Sequence, residues 1–243
     1  MHWDFVLILI FLGAAVPWLG RQRIRQLMQA PQTTKMDRLA LYASTMAFQW
    51  IAALVTFWRT TAHGIRTAQL GLIIPKPALT AVVSLLLAAA IFANQIFSLR
   101  RLTSKPSEIQ GILPQLALKL FPQDDVERLV FLGLVATVAI CEEFIYRGFV
   151  QRVLEDCFRA HVVAGILGSA AFFALAHFYQ GSRGLASTFF VGLLFSIVRF
   201  WTGSLLAPFI AHFVADLTVG FFAPSRLRAA LATSEPRATQ QLM

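Results

Sequence analysis

The sequence predicts an all-α protein, a polytopic membrane helix bundle of about seven to eight transmembrane helices. Three observations carry the prediction. Of the 243 residues, 57% are apolar and only 14% are charged, against about 25% charged in an average soluble chain. Apolar stretches recur at Asp4–Leu19, Leu39–Trp58, Ala78–Leu99, Leu129–Cys141, Val162–Phe178, Leu185–Phe200 and Ser204–Phe222. Spanning takes about 20 apolar residues; the longer stretches approach that unaided, and the shorter ones span with flanking residues or form partial helices. Basic residues collect at the ends of these runs, with Arg21, Arg23 and Arg25 after the first, Arg100, Arg101 and Lys105 after the third, and Arg226 and Arg228 after the last. Cations flank transmembrane helices in this way, beside anionic head groups. The net charge of +9 therefore speaks for a lipid bilayer as partner. No aromatic–basic interleaving accompanies it, which argues against nucleic acid. An integral, multi-pass protein of the plasma or another cellular membrane is expected, and no motif fixes an oligomeric state.

In chain order, residues 1–19 read as the first helix. No basic region precedes it and no small-x-small cleavage site follows, so it is taken as a retained helix rather than a signal peptide. A polar loop with Pro31 covers Gly20 to Asp37. The second helix is Arg38–Trp58, with Trp50, Phe57 and Trp58 suited to an interface belt. The connection Arg59–Pro77 holds Leu70-Gly71-Leu72 and the breaker Pro75-Lys76-Pro77. The third helix is Ala78–Leu99, where Asn94 and Gln95 suit an interhelical hydrogen bond. In the soluble segment Arg100–Asp125, the part from Ile109 to Phe121 spaces Ile112, Leu113, Leu116 and Leu120 as a helix on the membrane surface would. Asp124-Asp125 reads as the cap of the next helix, which runs to Glu142 or past it. Phe144–Phe158 is amphipathic and Val162–His177 helical. Two apolar runs split near Thr202-Gly203 and end at Phe222, before a polar tail expected to lack regular structure. Three parts follow: residues 1–125 with three helices and a connector, a core over 126–222, and the tail 223–243. The loop after the first helix is slightly more basic than the next one, which favours an outside N-terminus. Cys141 and Cys157 lack metal-type spacing and read as small apolar core residues.

Chemistry concentrates in the core. Cys141-Glu142-Glu143-Phe144-Ile145-Tyr146-Arg147-Gly148 follows a long apolar run. A central charge costs about 2.5 to 3.5 kcal/mol on insertion scales, so intramembrane charges face a partner or a wet cavity. On a helix, Glu143 and Arg147 share a face and can pair; Glu142 is turned about 100° away and is left for something else. Phe173 and His177 share a face, as do His212 and Asp216. Each group has a bland reading, an interhelical hydrogen bond or a structural ion pair. Three such groups on three successive core helices point instead to one shared hollow. His2, His63 and His161 lie at ends or loops and carry no assignment.

A glutamate and two histidines in a wet pocket can hydrolyse a peptide bond. The carboxylate takes a proton from water as it attacks the carbonyl, one histidine orients that water, and the other donates to the oxyanion. The same three, Glu142, His177 and His212, would also suit zinc with an open fourth position, although no His-Glu-x-x-His run is present. The residues leave both routes open.

Glu-Glu-x-x-x-Arg, Phe-x-x-x-His and His-x-x-x-Asp, in that order on hydrophobic helices, resemble the CAAX-protease and bacteriocin-processing family of intramembrane endopeptidases, which includes the Rce1-type prenyl-protein proteases. The resemblance covers roughly Leu129–Phe222 and makes that core the expected catalytic part. It implies that Glu142 activates water with help from His177, that His212 and Asp216 face the oxyanion, and that Glu143, Arg147 and Phe173 support the site. In the family, water activation is commonly assigned to glutamate without a metal. This chain has Asp216 where the prenyl-protein proteases have Asn. An ionised Asp only accepts hydrogen bonds, so Asp216 is expected to orient His212 or bind a metal, and the change points towards the broader bacterial-type branch. The expected partner is a peptide or membrane-protein substrate. A scaffold or immunity-type protein is the alternative from another class. A proton-coupled carrier is disfavoured because Met1–Leu99 holds almost no intramembrane ionisable residue.

Overall fold

The structure is a computed structural model, and it describes residues 2–104, 112–158 and 161–232. Lys105, Pro106, Ile109, Arg159 and the tail beyond Ala232 lie outside the described residues. Eight helices, and no strand, make up the described fold: α1 Trp3–Gln29, α2 Lys35–Ala62, α3 Pro77–Thr103, α4 Ile112–Leu120, α5 Asp125–Cys157, α6 Val162–Ala176, α7 Gly181–Thr202 and α8 Leu206–Ala232. Six of them (α1, α2, α3, α5, α7 and α8) are long and apolar enough to cross a membrane, and α6 is a shorter apolar helix. The protein is a multi-pass integral membrane protein.

Helix ends overrun the apolar stretches because polar residues continue the turns. The first helix extends through Arg21, Arg23 and Arg25 to Gln29 instead of ending at Leu19. It stops where Pro31 forces Ala30 out of the helical region, to φ −65° and ψ 127°. Helix α2 opens on a capping box. The Thr34 hydroxyl accepts from the Asp37 N–H, and the Asp37 carboxylate accepts from the Thr34 N–H.

Polar contacts pin α2 along its length. Arg38 grips Glu127 of α5 with two bonds of 3.0 and 2.6 Å, both side chains buried, a bidentate charge-assisted pair. The Tyr42 hydroxyl donates to the Leu120 carbonyl, and Trp50 Nε1 donates to Thr137 Oγ1 at 3.3 Å. At the far end Arg59 Nε and His63 Nε2 donate to Asp4 of α1 at 2.6 and 2.8 Å, and His2 stacks on His63. The first half thus holds two buried ionisable residues, Asp4 and Arg38, each near the start of its helix. They are paired as structural staples between helices.

The short helix α4 packs one face on the bundle. Leu116 and Ala117 are buried, and Ala117 packs in a cluster with Leu99, Ala223 and Leu227. Lys119 Nζ donates to the carbonyls of Leu27, Met28 and Ala30, satisfying the end of α1. Asp124 caps α5 as expected and accepts from the Glu127 N–H at 2.9 Å. Lys35, 2.7 Å away, and that N–H hold its carboxyl below the usual carboxylate range.

Helix α5 carries the core. Its middle, Glu143–Val150, is wound as π-helix, and all of those residues are buried. Helix α6 returns antiparallel along it, and at Gly165 the two backbones nearly touch. A Cβ there would stand 2.6 Å from the Gln151 carbonyl and 2.4 Å from Glu155 Cγ. After α7, Gly203 adopts a left-handed φ of 71° and ends the helix as only glycine does cheaply. The next turn is tied to the second connection by the Leu205 N–H donating to the Gly71 carbonyl at 2.8 Å. The last helix continues to Ala232 rather than ending at Phe222. Ala223, Leu227 and Ala230 are buried at helical spacing, so the start of the expected tail is core-facing helix.

Candidate active site

Glu142 sits near the middle of α5, seventeen residues after Asp125 and fifteen before Cys157. His177 immediately follows α6, fifteen residues after Val162. Helices α5 and α6 pack against each other, and the fold brings these two residues together. They line a single cavity of about 110 Å³ with Gln49 of α2, Tyr146 of α5, Tyr179, and Leu12 and Val16 of α1.

The hydrogen bonds fix most of these groups. Gln49 Nε2 donates to Glu142 Oε1 at 2.7 Å, while Glu142 Oε2 has no hydrogen-bond partner. His177 Nδ1 donates to the Phe173 carbonyl at 2.8 Å. Nε2 is thereby left as the nitrogen free for chemistry.

Glu143 faces elsewhere. Its Oε1 accepts from Arg147 Nη1 at 2.9 Å and from His212 Nδ1 at 2.8 Å. The pairing with Arg147 is the one expected from the four-residue spacing; the bond to His212 is an addition. Arg147 is fully buried, and its guanidinium lies 4.0 Å from the Phe173 ring centroid and 5.4 Å from that of Phe195. Those ring faces serve the N–H groups that lack an oxygen acceptor. His212 Nε2 faces Asp216 Oδ2 across 3.5 Å.

Phe173 stands between the two imidazoles, its centroid 4.7 Å from His177 and 5.9 Å from His212. His212 and Asp216 are not among the residues lining the Glu142 cavity. Glu143, Arg147, His212 and Asp216 form a second polar group, and the Phe173 ring touches both imidazoles. A larger cavity of about 430 Å³ lies beside Glu143, lined mainly by apolar residues including Trp50, Phe57, Leu205 and Phe209.

No group of three or more His, Cys, Asp or Glu side chains among the described residues is arranged to hold a metal ion. Both ring nitrogens of His212 face carboxylates, so Glu142, His177 and His212 do not fit the zinc set in this conformation.

Gln49 and Tyr179 escaped the sequence reading. Gln49 is a lone amide inside an apolar run, a pattern that marks any interhelical hydrogen bond. Its partner lies 93 residues away, which no local spacing reveals.

Comparison with known proteins agrees with this geometry. Residues 125–218 match the family model described as type II CAAX prenyl endopeptidase Rce1-like. The uncharacterized protein YpbD of Bacillus subtilis (strain 168) is 31% identical over 104 residues, which cover 40% of this chain and 47% of that protein. The chain thus spans less than half the length of this curated relative. No solved structure matches. The matched segment, residues 125–218, is similar to type II CAAX prenyl endopeptidases of the Rce1-like kind and contains Glu142, Glu143, Arg147, Phe173, His177, His212 and Asp216.

Proposed function

We propose that the protein is an intramembrane endopeptidase that hydrolyses peptide bonds of membrane-associated or lipidated substrates with water activated by Glu142. The observation that carries this reading is the shared cavity of Glu142 and His177 in the middle of a buried helix, with one carboxylate oxygen held by Gln49 and the other unpaired. In the reaction, Glu142 Oε2 takes a proton from water while the water oxygen attacks the scissile carbonyl. His177, its Nδ1 fixed on the Phe173 carbonyl, turns Nε2 to that water. Collapse of the tetrahedral intermediate breaks the C–N bond, and the proton held by Glu142 passes to the leaving amine.

His212 supplies a donor for the oxyanion. With its Nδ1–H given to Glu143 and Nε2 only 3.5 Å from Asp216, the ring donates from both nitrogens as the imidazolium, and in that form Nε2–H can turn to the carbonyl oxygen. Asp216 orients the ring. The apolar cavity beside Glu143 suits apolar side chains of a membrane-embedded peptide. No step requires a metal.

The test uses the full-length protein in lipid nanodiscs with a pool of membrane-inserted peptides, half of them carrying a farnesylated cysteine near the C-terminus, read by mass spectrometry. Wild type is expected to cleave members of the pool, with or without a chelator, and Glu142→Gln to cleave none while unfolding at the same temperature. Undiminished cleavage by Glu142→Gln would overturn the proposal. No cleavage by wild type, together with a cellular phenotype that survives Glu142→Gln, would favour the non-proteolytic scaffold.

A further inference from the structure

The segment that matches the protease family begins at residue 125, yet one polar side chain that touches Glu142 comes from α2, far outside it. Gln49 Nε2 lies 2.7 Å from Glu142 Oε1 and lines the same cavity as His177. An amide in a membrane helix is ordinarily no more than a modest interhelical bond. Three facts set this one apart.

Its partner is the carboxylate proposed to do the chemistry. The bond occupies Oε1, while Oε2 has no hydrogen-bond partner. And α2 is held to its neighbours on both sides of Gln49, by Arg38 on Glu127, Trp50 on Thr137 and Arg59 on Asp4. The amide therefore arrives on a rigid element, as a positioning group must.

We infer that Gln49 is a positioning residue of the active site. Its amide N–H fixes the rotamer of Glu142, so that Oε2 points at the attacking water. The catalytic constellation is then incomplete without α2, and the N-terminal half is part of the enzyme rather than a membrane anchor for it.

The inference rests on the proposed hydrolysis, and the experiment separates the two. Wild type, Gln49→Leu, Gln49→His, Glu142→Gln and the double variant Gln49→Leu/Glu142→Gln are compared in nanodiscs on one peptide from the pool that wild type cleaves. Gln49→Leu should lower kcat on the order of 10²-fold, the usual scale for a misplaced catalytic group, with KM and unfolding temperature unchanged. Gln49→His keeps a donor of similar reach and should restore most of the rate. The double variant should be no slower than Glu142→Gln alone, because residues acting through one group are non-additive.

Full activity of Gln49→Leu beside an inert Glu142→Gln would overturn the role of Gln49 and leave the hydrolase standing. Loss of activity in proportion to loss of unfolding temperature, without rescue by Gln49→His, would reduce Gln49 to a packing residue and also overturn it. An active Glu142→Gln would remove the hydrolytic mechanism and, with it, this role.

Discussion

Glu142 and Glu143 are neighbours on the chain and opposites in environment. Glu143 holds two cationic or donor groups on one oxygen, inside a shell of Arg147, His212 and Phe173. Glu142 holds one neutral amide. The two should respond differently to the same substitution. Glu143→Gln leaves Arg147 buried with its charge uncompensated, and removing one partner of such a pair costs about 3–5 kcal/mol. It should lower stability sharply in a denaturant titration, whereas Glu142→Gln should not. Equal stability loss in both variants would contradict this assignment. Much of this contrast was legible in the sequence: the spacing of four paired Glu143 with Arg147 and set Glu142 apart. What was not legible depends on packing. The bond from His212 to Glu143 and the bond from Gln49 to Glu142 join helices whose relative rotation no spacing encodes.

At the scale of elements, the α5–α6 pair sets the geometry of the site. They approach closely at Gly165, against Gln151 and Glu155. A methyl group there meets a backbone carbonyl that cannot step aside, so Gly165→Ala is expected to destabilise by about 1–3 kcal/mol and to reduce hydrolysis as α6 shifts His177. Unchanged unfolding and activity in that variant would show that the helices separate freely. The α2–α5 staple makes a second prediction. Arg38→Met alone strands Glu127 and should cost about 3–5 kcal/mol, while Arg38→Met with Glu127→Leu should recover most of it. A double variant as unstable as the single one would mean that the pair supplies more than charge balance. Helix existence was readable from hydropathy, since each long apolar run became a helix. Helix ends were not, because Arg21–Gln29 and Ala223–Ala232 continue turns for reasons of propensity and of packing against α3 and α4. The π-wound stretch at Glu143–Val150 has no sequence signature at all. Such windings occur often at functional sites, and here one begins directly after Glu142.

Across the whole molecule, the contacts sort the connections onto two sides. Lys119 on the end of α1 and Lys35 on Asp124 join the connections after α1 and before α5. Leu205 on Gly71 and Lys76 on Trp201 join those before α3 and α8 on the opposite side. The first side also gathers Arg100, Arg101, Arg128, Arg226 and Arg228 near helix ends. Basic excess marks the cytoplasmic face, so the N-terminus should lie outside and the end of α8 inside. Membrane-impermeant thiol labelling of single cysteines placed at Thr33 and at His63, in a chain whose Cys141 and Cys157 are replaced, checks this. Labelling of the Thr33 position from the outside would reverse the orientation. The sign of that bias was present in the loops of the sequence, but too weakly to decide. The assembled bundle strengthens it by adding distant helix ends to the same side.

One consequence follows from the matched fifteen-residue arms of α5 and α6. Extra amino acids added between Phe158 and His161 would leave both arms as they are, so gene variants carrying small in-frame insertions there should stay functional. A single codon deleted between Val162 and Ala176 would instead swing the imidazole about a quarter-turn and draw it back by about 1.5 Å, dismantling the catalytic couple while sparing the hydrophobic character that lets the chain insert.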